Sequence, residues 1–380
     1  MTSVARAPRS RGVAVLGSTG SIGVATLRVI ERHREDFHVV ALAAGSNRDA
    51  LAAQVAHWRP SFAALVHGVP DATFASGPDA LVEAATRPGV DIVVNAVVGA
   101  AGLDATLAAL HAGKRVALAN KESLVMAGAL VGEAARSGGG EVVPIDSEHS
   151  AVLQCIASTE TVVSRLILTA SGGPFRTWDR DRVARATVTE ALQHPTWRMG
   201  SKITVDSATL ANKALEVIEA HHLFGMAYDA VDVVVHPQSV VHAFVEFTDG
   251  SVLAQLGFPS MEVPILYALS HPARLNDEGV RRFDPVTAGP LTFEPLRHEC
   301  FPAFRLGLSA GRAGGTMPAA FNAANEVAVA AFLAGRIGFG DIADTIDTVL
   351  AQVQAGPAES LAAVRAADAE ARRLAHEALK

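Results

Sequence analysis

Three carboxylates frame the chemical question. Asp146 and Glu148 stand two residues apart after the apolar stretch Val142 to Ile145, and Glu216 ends the segment Asp206-Ser207-Ala208-Thr209-Leu210-Ala211-Asn212-Lys213-Ala214-Leu215-Glu216. In an extended chain, residues two apart project to the same side, so Asp146 and Glu148 can share one ion. Hard oxygen ligands with no cysteine and no paired histidine nearby favour Mg²⁺ or Mn²⁺ over zinc, with Co²⁺ a further candidate. In the later segment Ser207 or Asp206 can cap a helix on which Asn212, Lys213 and Glu216 fall on neighbouring turns. A hydroxyl, an amide, an ammonium and a carboxylate on one face could bind a phosphate and complete a metal triad. Two plainer readings stand beside this one: the Asp-Ser-Glu triplet as a helix cap ahead of Ala151 to Ile156, and Lys213 with Glu216 as an ordinary pair on an exposed amphipathic helix.

Other segments offer smaller hints. Ser171-Gly172-Gly173-Pro174-Phe175 is a small-residue turn able to present N–H groups and a hydroxyl to an anion, or simply a loop. His194-Pro195-Thr196-Trp197-Arg198-Met199-Gly200 combines an imidazole, a large aromatic and a guanidinium between helix-breaking residues, the composition of a lid. His236 and His242 would share one side of a continuous strand, but Pro237 argues against that continuity.

At the other end of the chain, the apolar run Val13 to Leu16 leads into Gly17-Ser18-Thr19-Gly20-Ser21-Ile22-Gly23 and then a helical pattern from Val24 to Arg34. Strand, glycine turn and helix in that order are what a dinucleotide site requires. The glycines admit the pyrophosphate, and the helix start offers unpaired N–H groups and partial positive charge. NAD-binding domains usually place an acid at the end of the second strand to hold the ribose 2′-hydroxyl. Here Val39 to Ala44 ends instead in Gly45-Ser46-Asn47-Arg48, which suits a 2′-phosphate and favours NADPH. Arg48 could equally be a solvated residue in the first turn of a surface helix.

The elements that must position these groups follow from the hydrophobic rhythm. Val13 to Leu16, Val39 to Ala44, Ala63 to Val66, Asp91 to Val98 and Val116 to Ala119 alternate with Ala-rich helical stretches, and strands apolar along their whole length are buried on both faces. This predicts an α/β fold: an N-terminal, Rossmann-like, doubly wound parallel sheet at residues 12–145 after a frayed tail at 1–11. A central α+β catalytic, metal-binding and dimerisation domain is expected at 146–271, with strands Val231 to His236, Val240 to Phe247 and Ser251 to Leu256 around the turn Asp249-Gly250. A Pro-rich linker at 272–302 and a C-terminal α-helical bundle at 303–380 complete the division.

Composition narrows the function classes. The chain has 380 residues, more than one core usually serves, and 49% are hydrophobic against 19% charged, a globular balance. A net charge of -7 argues against a nucleic-acid partner, which needs a concentrated basic surface. The two cysteines, Cys155 and Cys300, match neither a disulfide framework nor a metal knuckle and suit a reducing compartment. No apolar run is long enough for a bilayer, so a cytoplasmic protein without a membrane partner is expected.

Taken together, the motifs resemble the 1-deoxy-D-xylulose 5-phosphate reductoisomerase family. The residues that carry the resemblance are Gly17 to Gly23, Ala119-Asn120-Lys121-Glu122, Asp146-Ser147-Glu148, Ser171 to Phe175, His194 to Gly200, Asp206 to Glu216, His236-Pro237-Gln238-Ser239 and Asn322-Ala323-Ala324-Asn325-Glu326. The resemblance implies metal ligands at Asp146, Glu148 and Glu216, and a substrate phosphate at Ser171, Ser207, Asn212 and Lys213. It implies that Lys121, Ser147 and His194 contact the sugar backbone, with Lys121, Glu148 and His194 as catalytic residues and Trp197 closing over the site. It further implies NADPH contacts at Gly17, Thr19, Gly20, Ser21, Ile22, Gly45, Ser46, Asn47, Asn120, Glu122 and Gly200. Members of the family often carry a basic residue where this chain has Ser46, leaving Arg48 as the nearby guanidinium. The expected activity is NADPH- and metal-dependent rearrangement and reduction of a phosphorylated keto-sugar in the non-mevalonate isoprenoid pathway, by a homodimer. Two other readings remain: a metal-free NADP-dependent dehydrogenase of a small phosphorylated or semialdehyde substrate, and a nucleotide-sensing scaffold that retains the fold without the chemistry.

Overall fold

A computed structural model describes residues 10–68, 73–157 and 161–380. The expected tail therefore falls largely outside the described residues, and Arg11 already belongs to the first strand. The chain forms two compact units, one comprising residues 1–120, 133–146 and 261–280, the other 121–132, 147–260 and 281–380. The sequence reading had placed its boundaries at 145/146 and 271/272; the observed division instead counts 261–280 with the N-terminal segments.

The first unit is built on six parallel strands: β1 (Arg11–Leu16), β2 (Phe37–Ala44), β3 (Phe62–Leu65), β4 (Ile92–Asn95), β5 (Arg115–Leu118) and β6 (Glu141–Pro144). They lie in the order β3-β2-β1-β4-β5-β6, so the order reverses between β1 and β4. That is the switch point at whose carboxyl edge doubly wound sheets bind ligands. Burial explains the all-apolar strands: Val13, Ala14, Val15 and Leu16 are fully covered, as are Val93, Val94, Val116 and Ala117. The stretch 261–280 is held here by charge. Arg32 donates to Asp277 at 2.8 Å and to Glu262 at 2.7 Å, tying the start of helix Glu262–Ser270 to helix Ser21–Arg32.

The second unit contains β7 (Val163–Ala170), β8 (Val231–Val235), β9 (Val241–Phe247), β10 (Val252–Leu256) and β11 (Glu294–Pro295), ordered β10-β9-β7-β8-β11. The hairpin β9-β10 and the break between β8 and β9 at Pro237 follow the sequence signals. The central strand β7 was not foreseen, because Val163-Ser164-Arg165-Leu166 mixes polar and apolar residues at a place where both faces are only partly covered. The Pro-rich stretch read as a linker in fact supplies β11, which pairs with β8, and a short helix Pro285–Ala288 capped by Asp284. The helices Pro302–Ala313, Met317–Leu333, Gly340–Gln352 and Leu361–Ala378 form the expected C-terminal bundle, their apolar faces continuous with the core behind β7. Among the described residues no helix is long and apolar enough to cross a membrane.

Close approach of the backbone dictates the glycine turn after β1. A Cβ on Gly17 would lie 2.5 Å from the Ala96 carbonyl oxygen, and one on Gly23 would lie 2.3 Å from the Gly17 carbonyl oxygen. Gly23→Ala is therefore expected to destabilise the first unit by about 1–3 kcal/mol through a clash with backbone that has nowhere to go. A lowered thermal unfolding midpoint, measured by calorimetry, checks this.

Candidate active site

The residues of the first unit expected to meet the cofactor follow β1, β2 and β5. Gly17, at φ +81°, turns the chain out of β1, and Gly20 heads helix Ser21–Arg32 with no side chain capping it. The first N–H groups of that helix, of Ser21 and Ile22, thus have no acceptor within the helix and no capping side chain. Gly45, Ser46 and Asn47 lie exposed beyond β2. Asn47 spends its side-chain oxygen on the Ala50 N–H at 3.2 Å, capping helix Arg48–Trp58. Arg48 does open that helix, as its plainer reading held, with its guanidinium 5.1 Å from the Phe74 ring centre. Asn120 reaches back to the Val97 and Gly99 carbonyls, both at 2.8 Å, and so shapes the loop after β4.

In the second unit the chain begins a helix, Ser147–Ile156, immediately after Asp146. The extended geometry invoked to pair Asp146 with Glu148 is therefore not what occurs: Glu148 stands in the first turn of that helix, where an acid is favoured by the helix dipole. The Ser147 hydroxyl donates to the Glu148 carboxylate. Asp206 and Ser207 do not cap the helix of Asn212 either. They lie inside helix Ser201–Thr209, Leu210 breaks the chain at φ +59°, and a new helix runs Ala211–Phe224. Their hydroxyl and carboxylate are thus released for tertiary partners.

Tertiary folding joins what the sequence separates. Lys213 donates to Glu148 at 2.7 Å, to the Thr169 carbonyl at 2.6 Å and to Glu216, while Lys121 donates to Asn212 at 2.8 Å and to Glu216 at 3.0 Å. Asn212 adds a bond to Glu216 at 2.5 Å. Lys213 and Glu216 are 4% and 1% exposed, which excludes the exposed-helix reading. Burial by itself lowers the pKa of the Lys213 ammonium, but Glu148 and Glu216 outweigh it and hold the group above the usual lysine value.

Asp146, Glu148 and Glu216 each offer a carboxylate oxygen, and these oxygens lie within 4.8 Å of one another. Opposed oxygens of an octahedral Mg²⁺ ion, bonded at about 2.0–2.1 Å, are about 4.2 Å apart. Adjacent oxygens are about 2.9 Å apart, so the three side chains must draw inward to share one ion, and three hard oxygen donors gathered this closely suit a hard divalent ion. A second group, Asp146, His149 and Glu219, is as close. It fits less well: His149 Nε2 donates to the Glu216 carbonyl at 2.8 Å, and its Nδ1 faces Glu219 at 3.1 Å, so the imidazole is already engaged on both sides.

The expected lid segment holds together through one imidazole. His194 Nδ1 accepts from the N–H groups of Thr196 at 3.2 Å and Trp197 at 2.9 Å, which leaves the ring proton on Nε2 to donate to the Ser171 hydroxyl at 3.0 Å. Burial keeps this neutral tautomer by pulling the His194 pKa down to about 4. Gly173, at φ +64°, packs so closely on the Ser207 carbonyl that a Cβ would come within 2.8 Å, bringing the turn at Ser171 beside Ser207. Trp197 leans over His242 with ring centres 6.4 Å apart. His236 is fully buried, bonded to the Thr292 carbonyl at 2.8 Å.

Lys202, which the sequence motifs do not single out, pairs with Glu122 at 3.1 Å and Asp206 at 2.7 Å, and Asn325 of the motif Asn322 to Glu326, to which no role was attached, donates to Asp206 at 2.8 Å. The spacing of Lys202 and Asp206, four residues apart on a helix, and the two asparagines, Asn322 and Asn325, in the apolar helix Met317–Leu333 were the available signals.

Comparison with known proteins gives concordant results. Residues 13–128 match the 1-deoxy-D-xylulose 5-phosphate reductoisomerase family, residues 142–224 its C-terminal domain, and residues 256–374 a DXP reductoisomerase C-terminal domain. The 1-deoxy-D-xylulose 5-phosphate reductoisomerase of Ralstonia pickettii is 51% identical over 378 residues, 95% of each chain. That of Xanthomonas campestris is 50% identical over 97% of each. Among solved structures, the Zymomonas mobilis reductoisomerase in complex with NADPH superposes with a TM-score of 0.89 at 43% identity, covering 98% of this chain and 100% of its own. A reductoisomerase in complex with NADPH, fosmidomycin and magnesium superposes at 0.90 with 39% identity, covering 97% and 98%.

The His194 geometry has a consequence for stability. The folded pKa, about 4, lies below the ordinary histidine value. The stabilisation it contributes is complete above about pH 6.5 and is lost as pH falls towards 4. The His194→Gln variant is expected to show a shallower loss of melting temperature between pH 6.5 and 4 than the unaltered protein, in a differential scanning series.

Proposed function

The chain belongs to the 1-deoxy-D-xylulose 5-phosphate reductoisomerase family, and on that premise we propose a function for the site just described. The protein isomerises and reduces 1-deoxy-D-xylulose 5-phosphate to 2-C-methyl-D-erythritol 4-phosphate, a step of the non-mevalonate isoprenoid pathway, using NADPH and a divalent metal ion. The observation that carries this reading is the convergence of Asp146, Glu148 and Glu216 within 4.8 Å, with Lys213 on two of them.

Magnesium is the first candidate ion, with Mn²⁺ and Co²⁺ as alternatives. When bound by Asp146, Glu148 and Glu216 it supplies Lewis acidity toward a ketone and an adjacent hydroxyl. NADPH, at Gly17, Thr19 to Ile22, Gly45, Ser46, Asn47, Asn120, Glu122 and Gly200, supplies the hydride. The rest is work for the chain's own side chains. Ser171, Ser207, Asn212 and Lys213 hold the phosphate, with Lys213 redirecting ammonium donors from carboxylate to phosphate oxygen. Lys121 stabilises negative charge developing on the substrate oxygen, and Ser147 and His194 fix the sugar backbone. The neutral His194 donates from Nε2, so it orients the phosphate side without adding charge. Trp197 and its segment exclude water from the reacting carbons.

A metal-free dehydrogenase acting on a related phosphorylated or semialdehyde substrate is the alternative, and metal removal separates the two. EDTA is expected to abolish NADPH oxidation with 1-deoxy-D-xylulose 5-phosphate, and Mg²⁺ or Mn²⁺ to restore it. Glu216→Gln should lower kcat about a hundredfold or more while NADPH binding, read by fluorescence, persists. Activity untouched by chelation would support the alternative.

We also assign a homodimer and a cytoplasmic setting. The edge strand β10 carries Val252 and Leu253, both nearly half exposed, an apolar edge that solvent-facing strands ordinarily avoid. Neither Cys155 nor Cys300 forms a disulfide, in keeping with a reducing compartment. Leu253→Lys is expected to convert a dimer to monomers in light scattering after size exclusion.

A further inference from the structure

Lys202 pairs with Glu122, which is assigned to the cofactor, and follows Gly200, which is also so assigned, by two residues; no role has so far been given to it. It sits in the first turn of helix Ser201–Thr209, two residues after Gly200, which heads that helix. Its ammonium lies 3.1 Å from Glu122 and 2.7 Å from Asp206. Asp206 is held in turn by the Asn325 amide at 2.8 Å, from the C-terminal bundle. Glu122 and Asp206 are 6% and 1% exposed. Two buried carboxylates converge on one half-buried ammonium, and removing the cation would leave uncompensated charge in a poorly solvated place. Burial pushes the Glu122 carboxyl up, but Lys202, with a backbone N–H and Lys121, more than reverses this and holds it below the usual carboxylate range.

From this geometry we infer that Lys202 is a positioning residue for NADPH binding: it fixes the carboxylate of Glu122 and the helix start at Gly200 in the places from which both meet the cofactor. The inference rests on the assignment of Glu122 and Gly200 to NADPH made above. Lys202 itself acts through those two residues. Asn325 extends the device, since Asp206 can anchor the lysine only while its own orientation is fixed. The C-terminal bundle therefore has a part in cofactor affinity beyond its part in the core.

The test compares Lys202→Met, Lys202→Arg, Glu122→Gln, Asn325→Ala and the Lys202→Met/Glu122→Gln pair in the full-length protein. NADPH dissociation constants are measured by calorimetric titration without substrate or metal, alongside KM for NADPH and for 1-deoxy-D-xylulose 5-phosphate. Loss of one charge-assisted bond corresponds to about a tenfold change in affinity. Lys202→Met and Glu122→Gln are each expected to weaken NADPH binding by about that factor, with KM for the sugar phosphate changing less than about twofold. The double variant should be no weaker than the worse single one, as for residues acting as a unit. Lys202→Arg should recover much of the loss, and Asn325→Ala should show a smaller defect of the same kind. If Lys202→Met does not fold, Asn325→Ala and Lys202→Arg decide the matter through the same split. A normal NADPH constant in Lys202→Met or, failing that, in Asn325→Ala, beside a weakened one in Glu122→Gln, would overturn the role of Lys202 alone. A normal constant in Glu122→Gln would instead remove the cofactor assignment on which the inference stands.

Discussion

The constraint on which the second unit depends is the mutual neutralisation of buried charge around Glu216. Lys121, Asn212 and Lys213 all donate to its carboxylate, and Lys213 carries the same field across to Glu148. An ionised carboxylate as deeply covered as Glu216 is costly unless paired and hydrogen-bonded. Here it is satisfied by two ammonium groups and an amide, each from a rigid helix. The same arrangement is the raw material of catalysis. Carboxylates assembled by lysines form a cradle for a doubly charged ion, and lysines assembled by carboxylates are at hand for a phosphate.

That arrangement requires backbone features with little tolerance. The left-handed Leu210 separates helix Ser201–Thr209 from helix Ala211–Phe224, so that Asp206 turns toward Lys202 and Asn325 while Lys213 and Glu216 turn toward Glu148. One continuous helix would hold Asp206, Lys213 and Glu216 on a single axis. The glycine turn of the first unit follows the same logic with sterics in place of charge: Gly17 and Gly23 approach carbonyl oxygens so closely that any Cβ would prevent the turn from closing.

Polar residues also connect the helical bundle to the site. Asn325 reaches Asp206, and Asn322 donates to Glu326 at 3.0 Å, which in turn accepts from Arg372 at 2.6 Å. The motif Asn322-Ala323-Ala324-Asn325-Glu326 thus has a physical content that its position far from the acids along the chain conceals. A buried asparagine specifies one orientation of its partner, where an apolar residue would specify none.

Much was legible in the amino-acid order because it rests on local rules. Parallel strands declare themselves by unbroken apolar runs, the cofactor turn by glycines between a strand and a helix, and the hairpin β9-β10 by Asp249-Gly250. Residue types named the ligand chemistry too, since hard oxygen donors and ammonium groups keep their preferences in any fold. What the order could not disclose was set by packing. β7 lies at the centre of its sheet with a mixed sequence, and the segment 272–302 reads as a linker yet contributes a strand. Asp146 and Glu148 are placed by a helix start, not by the extended chain that their spacing suggests. Whether Lys213 and Glu216 were a surface pair or a buried one depended on Lys121 and Thr169, distant along the polymer. Only the tertiary structure decides such matters, because burial and the nearest opposite charge belong to the neighbours a residue acquires on folding.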